Sequence, residues 1–161
     1  MSVLKIVTVP DPILTTKTKL VEKVTPGILK LINDMIETCR SAQGIGLAAP
    51  QIGKSIRLCI INLEHMNIPP FALINPKISK KSWKKVEMEE GCLSIPGVYG
   101  IVKRPEKIKV RALNLEGTQN ELEADGLLAR VNQHEVHHLE GILITSKLVR
   151  RTDGTETKER K

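Results

Sequence analysis

The sequence predicts an α+β fold in which antiparallel sheets pack around a central metal-binding helix. Three observations predict it. An amphipathic helical pattern begins near residue 26, strand-like segments dominate the middle of the chain, and a second helical pattern carries two histidines four residues apart. Since helices and strands occur in blocks rather than in regular alternation, we expect the histidine-bearing helix to pack on antiparallel sheet.

The composition fits one globular domain. The chain has 161 residues, of which 40% are hydrophobic and 27% are charged, and this length allows one ordinary core rather than two. The formal net charge of +7 favours anionic surroundings such as RNA, but the lysines are spread out and a solvated surface is the simpler interpretation. Aromatic residues are scarce, which argues against a base-stacking platform, so we expect no sequence-specific binding of nucleic acid.

Neither disulfides nor membrane insertion is expected. The three cysteines, Cys39, Cys59 and Cys92, are an odd number without tight spacing, which does not fit a disulfide framework. No apolar run approaches the ~20 residues that cross a bilayer, and the first residues lack the apolar core of a secretory signal. We therefore expect a cytoplasmic protein, because a reducing compartment keeps a thiolate free to bind a metal.

The first helix is expected to begin at Thr25-Pro26, because threonine is a good N-cap and proline suits the first helical position. Apolar residues then recur at helical spacing over roughly four turns: Ile28, Leu31, Ile32, Met35, Ile36 and Cys39. The next segment, Gly44 to Gly53, contains three glycines, two alanines and a proline and makes a poor helix and a poor strand. Such a segment lets the backbone pass close to another group.

Short strands are predicted in the middle of the chain. Ile56–Asn62 and Phe71–Asn75 have the composition of buried strands. Polar and apolar residues alternate over Lys107–Ala112, as expected for a strand with one solvent-exposed face. The second helix is expected from about Ala124 to Glu140. It should end at Gly141, since glycine is typical just beyond a helix end.

The pentapeptide His134-Glu135-Val136-His137-His138 is the most informative feature of the chain. On a helix, His134 and His138 share one face, so both imidazoles can bind one metal ion. Glu135 lies beside them, where it can take a proton from a metal-bound water. The two histidines continue an apolar stripe with Leu127 and Val131. Burying such polar groups is costly without a partner, so a metal site is favoured over ordinary core histidines.

The spacing leaves the third metal ligand open. No histidine follows His138, and the later glutamates lie too close or in a polar tail, so the ligand must come from upstream. The candidates are His65, in a polar segment, and Cys92, at the end of a strand-like stretch beside a glycine. Cys92 is favoured because a thiolate is a strong ligand for a borderline metal, while its alternative role is that of a small buried hydrophobe.

Three segments resemble, in order and spacing, the signature motifs of the peptide deformylase family. They are Gly44-Ile-Gly-Leu-Ala-Ala-Pro-Gln51, Glu90-Gly-Cys-Leu-Ser94 and Gln133-His-Glu-Val-His-His138. The resemblance extends from Val9 to about Leu148, and three motifs in the correct order are far more specific than one. It implies a single catalytic domain over residues 1–149, followed by a polar, flexible tail over residues 150–161.

The resemblance implies an enzyme that removes the formyl group from the N-terminal formylmethionine of newly made proteins and releases formate. Cys92, His134 and His138 would then bind one divalent metal ion per chain. Fe²⁺ is the usual metal of the family, and Zn²⁺, Ni²⁺ or Co²⁺ can replace it. The implied partners are the formyl-Met nascent peptide and, transiently, the ribosome.

The resemblance also implies roles for the surrounding residues. Glu135 would be the general acid and base, while the Gln51 side-chain amide and the Leu93 backbone N–H would hold the developing oxyanion. The implied substrate-binding residues are Ile45, Gly46, Met88, Gly91, Leu127 and Val131. The backbone at 45 and 46 would pair with the peptide, and Ile45, Met88, Leu127 and Val131 would line the methionine pocket. Glu90 and Arg104 would form an ion pair that supports the Cys92 motif.

The chain departs from the family pattern at two places. His137 stands where the family has Asp. We expect activity to survive there but a supporting contact near the metal to be lost, which can cost roughly 10- to 100-fold in affinity or rate. Residues 150–161 lack the apolar stripe of the long helix with which many members dock on the ribosome, so contact through such a helix is not expected.

Two alternatives stay open on sequence alone. One is a metallopeptidase or other amide hydrolase, which would prefer unformylated peptides. The other is a catalytically inactive relative that binds nascent chains or ribosomal RNA, and it is supported only by His137 and the net charge of +7.

Overall fold

The computed structural model describes residues 2–154 and confirms the α+β architecture. In chain order, the helices and strands are α1 (Pro26–Ser41), β1 (Gly46–Ala48), β2 (Leu58–Leu63), β3 (Ile68–Lys81), β4 (Lys85–Cys92), β5 (Ile95–Pro105), β6 (Lys107–Leu113), β7 (Gln119–Asp125), α2 (Gly126–Leu139) and β8 (Leu148–Arg151). The larger sheet has the strand order β1-β2-β3-β6-β7, the smaller one β4-β5-β8, and every neighbouring pair is antiparallel. Neither helix in residues 2–154 is long and apolar enough to cross a bilayer.

The larger sheet is covered by a helix on each face. In β2, Cys59, Ile61 and Leu63 belong to the core that includes residues of α2. The alternate residues Leu58 and Ile60 belong to the second core, which includes residues of α1. Because side chains alternate across a strand, β2 is buried on both faces, and all of its residues except Asn62 are apolar. The same arrangement brings α2 to the middle of the molecule.

The ends of the two helices follow from local chemistry. α1 begins as predicted, and the Thr25 side chain accepts a hydrogen bond from the Ile28 backbone N–H at 3.2 Å. α2 ends at Leu139, whose carbonyl accepts hydrogen bonds from the backbone N–H and the hydroxyl of Thr18 at 3.0 and 2.8 Å. Gly141 follows with φ of 75°, and a Cβ there would lie 2.7 Å from the Thr15 backbone. The histidine helix is therefore anchored at its C-terminal end.

Three segments differ from the sequence prediction. Gly46–Ala48, expected to be neither helix nor strand, pairs with β2 as a short edge strand, because long-range pairing overrides weak local propensity. Cys92 ends a strand, β4, as expected, but the next strand, β5, was not predicted and forms a hairpin with β4.

The third difference is the predicted domain boundary at 149, which β8 crosses. Arg150 and Arg151 pair with β5, so the smaller sheet extends beyond that boundary. Residues 155–161 of the predicted tail lie outside the described residues.

Candidate metal centre and active site

Cys92, His134 and His138 form one cluster of possible metal ligands. Their ligand atoms all lie within 4.8 Å of one another. The Cys92 Sγ is 3.3 Å from the His138 Nε2, which is 3.1 Å from the His134 Nε2. α2 supplies both histidines, and the end of β4 supplies the cysteine. The other candidate ligand, His65, is exposed on the turn Glu64–Met66 and is not part of this cluster.

The donor set fits a tetrahedrally bound divalent ion. Bonds of about 2.0–2.3 Å to nitrogen and sulfur place neighbouring ligand atoms about 3.3–3.6 Å apart, close to the spacings of 3.1 and 3.3 Å. Burial lowers the pKa of His138 well below its ordinary value, which keeps its imidazole neutral, as a ligand must be. Burial also opposes a charge on His134, yet its hydrogen bonds to Cys92 and Glu90 raise its pKa to about 10. A metal ion that binds there must therefore displace the proton of His134.

Glu90 orients the first histidine. Its carboxylate is buried and lies 3.1 Å from the His134 Nδ1, so it fixes the tautomer that leaves the Nε2 free. Arg104 donates to it from Nε and Nη2 at 2.6 and 2.8 Å, and Arg130 from Nη1 at 2.6 Å. Burial alone would raise the pKa of Glu90, but hydrogen bonds from Arg104 and His134 hold it far below its ordinary value.

Arg130 was missed by the sequence analysis. Its guanidinium also donates to the Val102 and Val86 carbonyls at 3.0 and 2.7 Å, and it is only 5% exposed. The sequence spacing could have identified Arg130 as a residue of the site. It lies four residues before His134 and eight before His138 and therefore shares their helix face.

His137 also makes a specific contact. Its Nδ1 is 2.9 Å from the Arg104 Nη1, and because arginine can only donate, this Nδ1 is an acceptor. Burial and the neighbouring Arg104 lower the pKa of His137 to about 3, so the ring is neutral. At the position where the family has Asp, His137 thus makes a supporting contact of its own, to Arg104.

Glu135 is a buried carboxylate without a full set of partners. It is 3% exposed, its Oε1 lies 4.0 Å from the His134 Nε2, and its Oε2 has no hydrogen-bond partner within residues 2–154. Burial raises its pKa to about 7, which suits a group that exchanges protons near neutral pH. Gly46 lies against it, since a Cβ at that position would be 2.6 Å from the Glu135 Oε1.

The Gln51 amide is held in one orientation. Its Oε1 accepts from the Ala48 backbone N–H at 2.9 Å, and its Nε2 lies 3.2 Å from the Ser94 hydroxyl and 3.7 Å from the Cys92 Sγ. The side chain is 1% exposed. Because its oxygen is occupied, the amide presents its N–H groups to the side where Cys92 lies.

One cleft of about 340 Å³ brings the predicted site together. It is lined by Gln51, Cys92, Leu93, His134 and Glu135, and by the six expected substrate residues, Ile45, Gly46, Met88, Gly91, Leu127 and Val131. His138 is 1% exposed and joins the group through its contacts with Cys92 and His134. Tyr99, which the sequence analysis did not single out, also lines the cleft, with its ring against Gly91.

A larger depression of about 540 Å³ lies elsewhere, lined mainly by β3, β6 and β7. It has lysines along it and contains none of the cysteine and histidine groups. Volume alone therefore does not identify the active site, and the smaller cleft is the one that carries convergent polar groups with perturbed pKa values.

A metal-dependent hydrolase is the class of protein that this fold and cleft define. The family model for polypeptide deformylase matches residues 3–153. Peptide deformylases of Dictyoglomus thermophilum and Acinetobacter baumannii are 48% and 46% identical to the chain, covering 93% and 92% of it and 95% and 84% of their own lengths.

Solved structures agree. The peptide deformylase of Thermotoga maritima superposes with a TM-score of 0.88 at 38% identity, covering 92% of this chain and 99% of its own. That of Synechococcus elongatus, in complex with actinonin, gives 0.87 at 42% identity over 93% and 81%. The chain belongs to the peptide deformylase family. It is a metal-dependent hydrolase that removes the N-formyl group from formylmethionine at the N-terminus of newly made proteins and releases formate.

Proposed function

We propose that Cys92, His134 and His138 hold the metal ion of the deformylation reaction and that Glu135 moves its protons. The observation that carries this proposal is the convergence of three ligand atoms within 4.8 Å beside a carboxylate, one oxygen of which has no partner in the described part of the chain. When bound, a metal ion of this kind lowers the pKa of its water to about 7 and polarises a carbonyl oxygen.

Glu135 takes a proton from the attacking water as the water oxygen bonds to the formyl carbon. It then delivers that proton to the methionine nitrogen while the carbon–nitrogen bond breaks, so that formate and a free amine leave. A pKa of about 7 supports this double role, because a group matched to neutral pH accepts and releases protons with little penalty. Its burial keeps bulk water from competing for the same oxygen.

The Gln51 amide and the Leu93 backbone N–H stabilise the oxyanion that develops on the formyl oxygen. The fixed orientation of Gln51 supports this role, since its N–H groups already lie near Cys92. A hydrogen-bond donor that is already oriented need not reorganise during the reaction, and one such donor lowers the activation free energy by roughly 3 kcal/mol.

The outer edge of β1 binds the peptide. β1 is the last strand of its sheet, so an extended peptide can pair with the backbone at Ile45 and Gly46 as an added strand, with Gly91 on the other side of the cleft. Met88, Leu127 and Val131, together with the Ile45 side chain, surround the methionine side chain. This aliphatic lining suits an unbranched thioether, which adapts its shape to the pocket.

Fe²⁺ is the metal that we propose for the cell. The ligand set alone accepts iron, zinc, nickel or cobalt, because imidazole and thiolate suit all four ions. Metal analysis of protein purified without oxygen tests the choice. About one iron per chain supports it, and a full complement of zinc contradicts it.

The enzyme works in the cytoplasm, as one catalytic domain that contacts the ribosome transiently. A basic connection between β3 and β4 supports the ribosome contact: Lys80, Lys81, Lys84 and Lys85 flank Trp83, which is fully exposed. Trp83 is the only tryptophan, so its fluorescence reports on this connection. Ribosomes should quench it at low salt and not at high salt, because phosphate contacts weaken as salt rises. No quenching at low salt would contradict the contact.

Formate release from a formyl-Met peptide tests the assigned roles. Wild-type protein should release formate from the formylated peptide and leave an unformylated peptide intact. Glu135→Gln should bind metal but lose at least 100-fold in kcat, as general acid–base catalysis is typically 10²–10⁴-fold. Near wild-type turnover of metal-loaded Glu135→Gln would overturn the role of Glu135. Faster hydrolysis of the unformylated peptide would favour a metallopeptidase.

A further inference from the structure

The Arg104 guanidinium lies between two acceptors. Its Nε and Nη2 bind the Glu90 carboxylate, while its Nη1 lies 2.9 Å from the His137 Nδ1. Arg104 is only 3% exposed, so water cannot readily replace a lost partner. A buried charged donor that loses an acceptor is costly, which makes the His137 contact part of what fixes the plane of the guanidinium.

The chain of contacts continues to the metal ligands. Arg104 and Arg130 hold Glu90 from two sides, and Glu90 in turn lies 3.1 Å from the His134 Nδ1. His137 is three residues after His134 on α2, so both ends of this chain of contacts are fixed on one rigid helix.

We propose that His137 is a positioning residue for the metal centre, acting as a neutral acceptor that holds Arg104 and, through Glu90, His134. The inference rests on the proposed metal site. The property required at position 137 is a hydrogen-bond acceptor directed at Arg104, and a negative charge is not required. The cluster of Glu90, Arg104, Arg130 and His137 therefore carries one negative charge fewer than it would with a carboxylate at this position.

Three substitutions separate the acceptor from the shape of the side chain. His137→Asn places an amide oxygen where the Nδ1 stands, His137→Asp adds a charge to the same acceptor, and His137→Leu keeps the branching but removes the acceptor. His65→Leu is the matched control, because His65 is exposed and outside the cluster. Each variant is loaded with Co²⁺ and mixed with excess chelator to measure the rate of metal release, and its absorption spectrum reports the ligand geometry.

We expect His137→Leu to release Co²⁺ roughly 10- to 100-fold faster than wild type, as changes next to metal ligands do, with an altered Co²⁺ spectrum. His137→Asn, His137→Asp and His65→Leu should stay within about threefold of the wild-type rate. The melting temperature of each metal-free protein is measured alongside, so that a general loss of stability is separated from a faster release.

Three outcomes would overturn the inference. The first is a His137→Leu variant that releases Co²⁺ at the wild-type rate. The second is equal acceleration in His137→Leu and His137→Asn, and the third is an acceleration fully matched by a fall in the melting temperature. Either of the last two would mean that His137 acts through packing. Failure of the proposed metal site is a different result, because wild-type protein itself would then not retain Co²⁺.

Discussion

Gly46→Ala tests the placement of Glu135 with a single methyl group. The added Cβ would lie 2.6 Å from the Glu135 Oε1 and 3.0 Å from its Cγ and Cδ. The first distance is 0.8 Å short of the 3.4 Å at which ordinary contact begins. Glu135 is 3% exposed, so its carboxylate cannot swing into solvent, and it must shift within the cleft by most of that amount.

The expected cost follows from this displacement. A misplacement near 1 Å of a catalytic group costs about 100-fold in rate, which corresponds to about 2.7 kcal/mol in the activation free energy. We therefore expect kcat/KM for a formyl-Met peptide to fall about 100-fold. Metal content should not change, because the three atoms nearest to the new methyl group all belong to Glu135 rather than to a ligand.

Formate release and metal content are measured together on Gly46→Ala and on Gly27→Ala. Gly27 is a matched control, since the nearest atom to its added Cβ is the Thr25 Oγ1 at an ordinary 3.6 Å. The reasoning is refuted if Gly46→Ala keeps kcat/KM within twofold of wild type. It is also refuted if the variant loses its metal, because the substitution would then act on the ligands.

Three further predictions concern stability and reactivity. Glu90→Gln should lower the free energy of unfolding by about 3–5 kcal/mol in urea titrations, because it leaves two buried arginines, Arg104 and Arg130, without a counter-charge. A loss below 1 kcal/mol would contradict the stabilising role of the Glu90 ion pairs. In metal-free protein, iodoacetamide should modify Cys92 alone, and bound metal should protect this thiol. Cys39 and Cys59 should not react, since both are fully buried and burial raises the pKa of both thiols. Early labelling of Cys39 or Cys59 in peptide mass spectrometry would contradict the prediction. Glu135→Gln should stabilise metal-free protein by about 3 kcal/mol more at pH 8 than at pH 4. The reason is that a carboxyl whose folded pKa is raised to about 7 favours folding below its unfolded pKa and loses that contribution as pH rises through 7. An equal effect at both pH values in urea titrations would contradict the raised pKa.

The sequence predicted the features that depend on short spacing. His134 and His138 lie on one helix face because four residues make about one turn, and no knowledge of the rest of the fold is needed. The start of α1 at Pro26 and the end of α2 before Gly141 are of the same kind, since caps act within a few residues.

The features that the sequence left open depend on distant contacts. The sequence favoured Cys92 over His65 as the third ligand but left both open, because the choice rests on which strand meets α2 in space. Arg130 was missed since its partner, Glu90, is 40 residues away. Gly46 was expected to pair with the peptide through its backbone, while the atoms nearest to an added Cβ in the structure belong to Glu135. That contact joins β1 to α2, and no local pattern encodes it.

X-ray absorption at the metal edge of protein purified without oxygen tests the central claim most directly, because it reports which atoms bind the ion. We predict one metal per chain with one sulfur neighbour at about 2.3 Å and two imidazole nitrogens at about 2.0–2.1 Å, and loss of the sulfur signal in Cys92→Ser. A wild-type spectrum without sulfur, or one unchanged in Cys92→Ser, would contradict the account.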